Sequence, residues 1–360
     1  MKIGIITFHC AHNYGAVLQC YALQTFLEQE NQDVRIIDYR PSFLIDCYKW
    51  FQPYRFRSRK LFTLLHKCHK ELVLLRYRRK RYNAFNEFIS SRLKLTQEES
   101  ISNEAFDLII IGSDQVWNIN LTQGFDPKYW GDFSKPSQTR IISYAASMEE
   151  DWNEKEKKTI QHHLANFTGI SVRESTLAAK LSQIYTEKEI NTVVDPTLLI
   201  SKKVWEELAV PPKSQEPYLL LYQVRNSSQT LEFAQAVAAQ KKLKLVCLSA
   251  RIDSPNSKEC ISASPNEFLG YFKYATFVIC SSFHGTVFSL IFNKNFYSIR
   301  MNDGKDSRVN SLLESLDMLS RFVDTDHDTR KDNSIDWELI NKKIESISHS
   351  SKSFLRAYTS

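Results

Sequence analysis

The chain has 360 residues, with 47 Lys and Arg against 41 Asp and Glu, and 42% hydrophobic side chains. That length exceeds what one small core needs and suits two domains. A content of 24% charged and 12% aromatic residues excludes a disordered or collagen-like chain, and no apolar run reaches the roughly 18 residues of a membrane-spanning helix.

The opening Lys2–Phe8 reads as a first strand and not as a signal peptide, because its apolar stretch is short and His9, His12 and Asn13 follow at once. Further strands are expected at Val34–Asp38, Leu108–Ile111, Ile141–Ala145, Ile170–Arg173 and Val193–Asp195. A second series is expected at Leu219–Val224, Leu245–Leu248, Phe277–Cys280 and Phe296–Ile299. Helical spacing fits Ala16–Glu28, Glu154–Asn166, Gln229–Gln240 and Ser307–Leu316, and Ser264-Pro265-Asn266-Glu267 carries a capping Ser, a Pro at the first helical position and a Glu at the third. Continuously apolar strands separated by helices indicate parallel sheets covered on both faces. Pro211 to Pro217 breaks the pattern and reads as a linker. The expected class is α/β: a Rossmann-like domain over residues 1–210, a linker over 211–217, a second Rossmann-like domain over 218–335, and a terminal helix over 336–360 that returns to the first domain. Two doubly wound domains then face each other across a cleft.

The net charge of +6 is uneven. From Lys49 to Arg81 there are twelve Lys and Arg and one acid, Glu71, so that segment alone carries +11 and the remainder −5. Leu61, Leu65, Cys68, Leu72 and Leu75 recur there at helical spacing. A helix with a solvated basic face explains the segment; so does a patch over 49–82 for an anionic membrane surface or a diphosphate-linked acceptor. Nucleic acid is not expected, since no recognition motif accompanies the charge. The seven cysteines are odd in number and form no C-x-x-C pair, as expected of free thiols in a reducing cytoplasm.

In doubly wound sheets, ligands bind at the strand-to-helix turns, and three clusters fall there. The first is His12-Asn13-Tyr14-Gly15, where Gly15 permits a sharp turn and the helix start favours an anion; an ordinary turn would carry the same spacing. It is neither a dinucleotide fingerprint nor a P-loop, and His9 and His12 have no carboxylate nearby in sequence, so no metal is expected. The second is Gly112-Ser113-Asp114-Gln115, in which Asp114 is either a base for a hydroxyl or, like Ser113, a helix cap. The third is Cys280-Ser281-Ser282-Phe283-His284-Gly285-Thr286, which places His284 at a helix start among Ser282, Gly285 and Thr286. Arg225 ends the strand Leu219–Val224, faces the same cleft and has the fork geometry for carboxylate or phosphate. Together these describe a cleft for a small anion such as a phosphoester.

The ordered set of these clusters, with Tyr144-Ala145-Ala146-Ser147, Ser171-Val172-Arg173-Glu174 and Val194-Asp195-Pro196-Thr197-Leu198-Leu199, resembles the polysaccharide pyruvyl transferase family from the first strand to about Leu316. One position departs: close relatives tend to carry an acid where Ser281 stands. The resemblance implies a fold like that of the two-domain, GT-B-like glycosyltransferases. It implies phosphoenolpyruvate as donor and co-substrate with no cofactor, and a glycan acceptor, lipid-linked or free, on a surface or capsular polysaccharide precursor. It places donor binding on Arg225 and His284, with Ser282, Gly285 and Thr286 around them. The acceptor side falls to Asn13, Tyr14, Gly15, Ser113 and Gln115, with catalysis by His284 and Asp114. Two other readings compete: a nucleotide-sugar glycosyltransferase of the same architecture, which Glu259 and Glu267 suggest by their spacing, and a non-catalytic binding module built on the basic segment.

Overall fold

The computed structural model describes residues 1–52, 61–103, 105–148, 152–214, 216–250, 252, 260–302, 306–329 and 334–360, with the backbone alone at 61–67, 70, 260 and 261. Among these residues, every strand pairing is parallel. The first sheet comprises β1 (Lys2–Ile6), β2 (Asp33–Ile37), β3 (Leu95–Thr96), β4 (Leu108–Ile111) and β5 (Arg140–Ser143), in the order β3-β2-β1-β4-β5. The pair β6 (Ile170–Val172) and β7 (Ile190–Thr192) continues it through the bridges Ile142–Gly169 and Ala146–Val172. The second sheet comprises β8 (Tyr218–Gln223), β9 (Lys244–Ser249), β10 (Cys260–Ile261), β11 (Phe277–Cys280), β12 (Asn295–Ile299) and β13 (Phe322–Val323), in the order β10-β9-β8-β11-β12-β13. In both, the order reverses beside the first strand, so each sheet has a crevice at its carboxyl end. β4 and β11 are buried along their whole length, which is why they read as unbroken apolar runs.

The helices are α1 (Tyr14–Gln29), α2 (Ser42–Tyr48), α3 (Leu61–Arg92), α4 (Ser100–Asn103), α5 (Glu154–Leu164), α6 (Ser175–Ile184), α7 (Lys202–Leu208), α8 (Ser228–Gln240), α9 (Pro265–Tyr274), α10 (Phe283–Ile291), α11 (Ser307–Ser315) and α12 (Trp337–Thr359). The cap expected at Ser264 is reciprocal: its hydroxyl accepts from Glu267 N at 3.1 Å, and Ser264 N donates to Glu267 Oε2 at 2.8 Å. That accounts for Glu267, while Glu259 lies outside the described residues.

Two local expectations are corrected. The strand expected at Val193–Asp195 is instead Ile190–Thr192, because Asp195 caps a 3-10 turn over Pro196–Leu198, with Pro at its first position. The basic helix runs to Arg92; of its expected stripe, the side chains of Leu61 and Leu65 lie outside those described, Cys68 and Leu75 are half-buried, and Leu72 turns outward. Leu72 is 62% exposed, whereas Glu71, Leu74, Arg81, Phe85 and Phe88 are buried. A stripe read from apolar spacing misses this line because three of its inward positions, Glu71, Arg78 and Arg81, are charged and form partners inside.

One continuous cluster of buried apolar side chains joins the two sheets. Tyr14 of α1 stacks on Phe268 of α9 at 4.3 Å, and Trp205 of α7 meets Phe288 of α10 edge-on at 5.2 Å. α12 lies on the first domain. Ser348 Oγ donates to Leu198 O at 3.0 Å, Val194 N donates to Ser351 Oγ at 2.9 Å, and Arg356 forms two 2.8 Å bonds to Glu30. A half-exposed ion pair contributes under about 1 kcal/mol, so the buried Leu355 and Ile340 carry more of that attachment. Among the described residues, no helix is long and apolar enough to cross a membrane.

Candidate active site

A cavity of about 540 Å³ opens between the two sheets. Its wall is built from residues that follow strands: Phe8 after β1, Asp114 after β4, Arg225 after β8, and Ser281 to His284 after β11. The starts of α1 and α10 both reach it. Asn13 caps α1 by accepting from Gly15 N at 2.9 Å, and Ser282 caps α10 by accepting from Gly285 N at 3.0 Å. Two helix starts on one cavity favour an anion there.

His284 belongs to the second domain, yet the first domain surrounds it. A Cβ built on Gly15 would lie 2.0 Å from His284 Nδ1, so the ring rests directly on the bare backbone of α1's first turn. Any other residue at 15 would drive the ring away. On its other side, Nε2 stands 3.5 Å from Asp195 Oδ2.

Asp195 is wholly buried and held from several directions. Its Oδ1 accepts from Thr197 N at 3.0 Å and from Thr197 Oγ1 at 2.7 Å, and its Oδ2 accepts from Arg173 Nη1 at 2.8 Å. Burial alone would raise its carboxyl, but the neighbouring His284, Arg173 and Thr197 outweigh burial and hold it well below the usual carboxylate range. The Arg173 guanidinium stacks on Phe283 at 4.5 Å and approaches Glu174 Oε1 at 3.4 Å. Glu174 accepts from Ser147 Oγ at 2.7 Å; burial pushes its carboxyl up, against the pull of Arg173 and Arg308. Removing one member of such a buried set leaves an uncompensated charge, at a cost of about 3–5 kcal/mol. Sequence reasoning did not assign Arg173, Glu174 or Asp195 to the site. Their signals were membership of two of the motifs that carry the family resemblance and position just beyond a strand of the first domain.

Of the residues singled out from sequence, the cavity wall includes His284, Ser282, Arg225, Asp114, Gln115 and Asn13. The carboxylate of Asp114 accepts from Gln115 N at 2.9 Å, and the turn that presents it places Gly112 at φ 118° and Asp114 at φ 77°. Gly112 is required there, since a Cβ would fall 2.3 Å from Tyr144 O. The other residues stand behind the wall. Tyr14 is buried and donates to Ala263 O at 2.7 Å, linking the domains. Ser113 donates to Ala145 O at 3.0 Å, and the Thr286 hydroxyl pairs with Ser298 Oγ at 2.7 Å in the core of the second domain. Gly285 offers its amide to the cap and has no room for a side chain beside Cys280. Tyr14, Ser113, Gly285 and Thr286 are thus structural supports of the site in this geometry. Ser281 lines the cavity, and its hydroxyl has no hydrogen-bond partner among the described residues.

α3 closes the cavity with its inward cations. Arg81 donates to Ser249 O at 2.7 Å and to His12 O at 3.3 Å, and lies over Tyr14 at 4.7 Å. Arg78 pairs with Glu71 and donates to Ile252 O at 3.0 Å. Arg76, Arg79 and Lys80 face outward beside Leu72. His12 also lines the cavity; its ring stacks on Phe85 and its Nε2 meets Asn86 Oδ1 at 3.3 Å. Among the described residues, no three His, Cys, Asp or Glu side chains gather as a metal site.

A family model described as polysaccharide pyruvyl transferase matches residues 13–303. No curated protein matches the chain. Among solved structures, the chain is similar to a Methanocaldococcus jannaschii UDP-GlcNAc 2-epimerase in complex with UDP-GlcNAc and UDP. The identity is 11% and the TM-score 0.50, over 100% of this chain and 99% of that one. A second UDP-N-acetylglucosamine 2-epimerase gives 10% identity and a TM-score of 0.49, over 98% and 94%. An alpha-glucosyltransferase in complex with UDP and DNA gives 10% and 0.42, over 100% and 94%. Such low identity speaks to fold alone, and the fold is the GT-B type: two Rossmann-like domains around a cleft.

Proposed function

The chain belongs to the polysaccharide pyruvyl transferase family, and from that premise we propose that it transfers pyruvate from phosphoenolpyruvate to two hydroxyls of a surface or capsular polysaccharide precursor, forming a cyclic ketal. The observation that carries this reading is His284, set at the start of α10 on an interdomain cavity and facing a buried carboxylate. A volume of about 540 Å³ lies within the range of small-ligand sites.

An enol phosphate needs a proton on its methylene carbon before its neighbour becomes electrophilic. His284 in its imidazolium form gives that proton. Arg225 grips the donor's carboxylate or phosphate through its fork, and the two helix starts favour its negative charge. The first acceptor hydroxyl adds through oxygen to the activated carbon and passes its proton to Asp114. The bond from that carbon to the phosphate oxygen then breaks, and its electron pair leaves with phosphate. The second hydroxyl closes the ring and gives its proton to the departing phosphate. Return of the Asp114 proton to His284 through solvent resets the site.

The inward cations Arg78 and Arg81 suit an acceptor that carries a diphosphate, and the outward row of Arg76, Arg79 and Lys80 beside Leu72 suits an anionic membrane surface. Equal partition onto anionic and neutral vesicles would refute the membrane contact.

The test is mass spectrometry of candidate lipid-linked and free glycans incubated with phosphoenolpyruvate. A gain equal to pyruvate less water, with one phosphate released per acceptor, is expected. Parallel incubations with UDP-sugars address the competing activity: a glycosyl gain with no pyruvyl gain would overturn the proposal.

A further inference from the structure

We propose that Asp195 is a positioning residue that reaches across the domain boundary, fixing the orientation of the His284 ring and holding it in its protonated form. The inference deepens the reading above and rests on it for the role of His284, but the carboxylate–imidazole pairing has its own readout.

Three features of the geometry lead there. First, Asp195 is rigid. It caps a turn, both donors of Thr197 hold Oδ1, and Arg173 holds Oδ2 from the side. A buried carboxylate used only as a cap would need no more than Thr197. Second, Oδ2 accepts from Arg173 Nη1 at 2.8 Å and stands 3.5 Å from His284 Nε2, which has no hydrogen-bond partner among the described residues, so the nearest charge to that ring nitrogen is this carboxylate. A carboxylate so placed favours a hydrogen on Nε2. Third, Nδ1 rests on the bare Cα of Gly15. The ring is therefore gripped on two sides by the domain to which it does not belong, and the acid is assembled only when the domains are together.

Other charges bear on the same ring. Behind Asp195 stand Arg173 and Glu174. On the cavity wall are Asp114, Arg225, Asp306 and Arg308, with Arg81 and His12 on the far side. Asp195 is distinguished from Asp114 and Asp306 by complete burial of its side chain, which leaves its field unscreened by water.

Asp195→Asn preserves shape and the acceptor toward Thr197 but removes the charge. The full-length variant is expected to lose about tenfold or more in kcat while KM for phosphoenolpyruvate changes less than about threefold. The basic limb of its kcat/KM profile is expected to move to lower pH. In the free protein, the NMR titration of the His284 ring, assigned by its loss in His284→Ala, is expected to move in the same direction. Thr197→Val keeps the charge but loosens the carboxylate, and is expected to show a smaller change of the same sign; it decides the matter if Asp195→Asn does not fold. A titration and a pH profile that coincide with those of the unaltered protein would overturn the proposal. If the unaltered protein makes no ketal, the functional reading fails, and the ring titration still decides whether Asp195 holds the proton.

Discussion

His12 of the first domain and His284 of the second approach the same cavity from different strands, His12 after β1 and His284 after β11. His12 stands in the turn just before the α1 cap and His284 in the first turn of α10, and both line the same cavity. Their surroundings have opposite signs. Burial is the main cause that lowers the His12 pKa to about 4; Arg81 and Arg40 add to it, and the Asn86 contact opposes it. That ring is neutral at pH 7 and packs as a flat surface against Phe85. His284 instead faces Asp195. The residue type is shared and the surroundings differ: burial, with Arg81 and Arg40 adding to it, keeps the His12 ring neutral, whereas a buried carboxylate faces His284, the proposed acid.

The sharpest way to break this comparison is to exchange the losses. His284→Ala is expected to lower kcat/KM for ketal formation by about 10³-fold or more, while His12→Gln loses less than about tenfold. Steady-state rates of phosphate release with a matched acceptor measure both. Comparable losses in the two variants would mean that charge environment does not separate them. Next in size is Gly15→Ala. The added methyl would fall 2.0 Å from His284 Nδ1, so the ring must leave its seat. We expect about a 10²-fold loss of kcat and a stability change of about 1–3 kcal/mol, read by thermal unfolding alongside the rate. An active Gly15→Ala would show that the seat seen here is not needed for chemistry.

Much of this contrast was legible in the sequence, and the part that was not has a physical cause. The turns announce themselves through small and capping residues, and Asn13, Ser264 and Ser282 all cap as their chemistry requires. Unbroken apolar runs marked the buried strands. The inner face of α3 was hidden, because a tally of apolar spacing counts Glu71, Arg78 and Arg81 as surface although partners hold them inside. The group Arg173, Glu174 and Asp195 was hidden for a related reason. Arg173 and Asp195 are 22 residues apart, and the imidazole they serve lies in the other domain, so no local pattern joins them. Asp195 was also read as a strand end, when its carboxylate in fact caps the turn that Pro196 begins.

The smallest expected effect concerns stability and sharpens the same contrast. His12 has an ordinary value of 6.5 and a folded value of about 4. Its depressed value means that the folded state binds fewer protons than the unfolded chain between those limits. Its contribution is therefore complete above pH 6.5, falls as the pH drops toward 4, and does not change further below that. The loss over this window is about 3 kcal/mol at most. Asp195 behaves differently: its value is also depressed, but from 3.8, so its contribution persists through the His12 window and is lost only below about pH 4. Denaturant unfolding at successive pH values separates the two. His12→Gln is expected to flatten the stability decline between pH 6.5 and 4 and to leave the steeper fall below pH 4 in place. If the decline in the upper window is unchanged in that variant, His12 is not the neutral ring that its burial requires, and the distinction between the two histidines must rest on geometry alone.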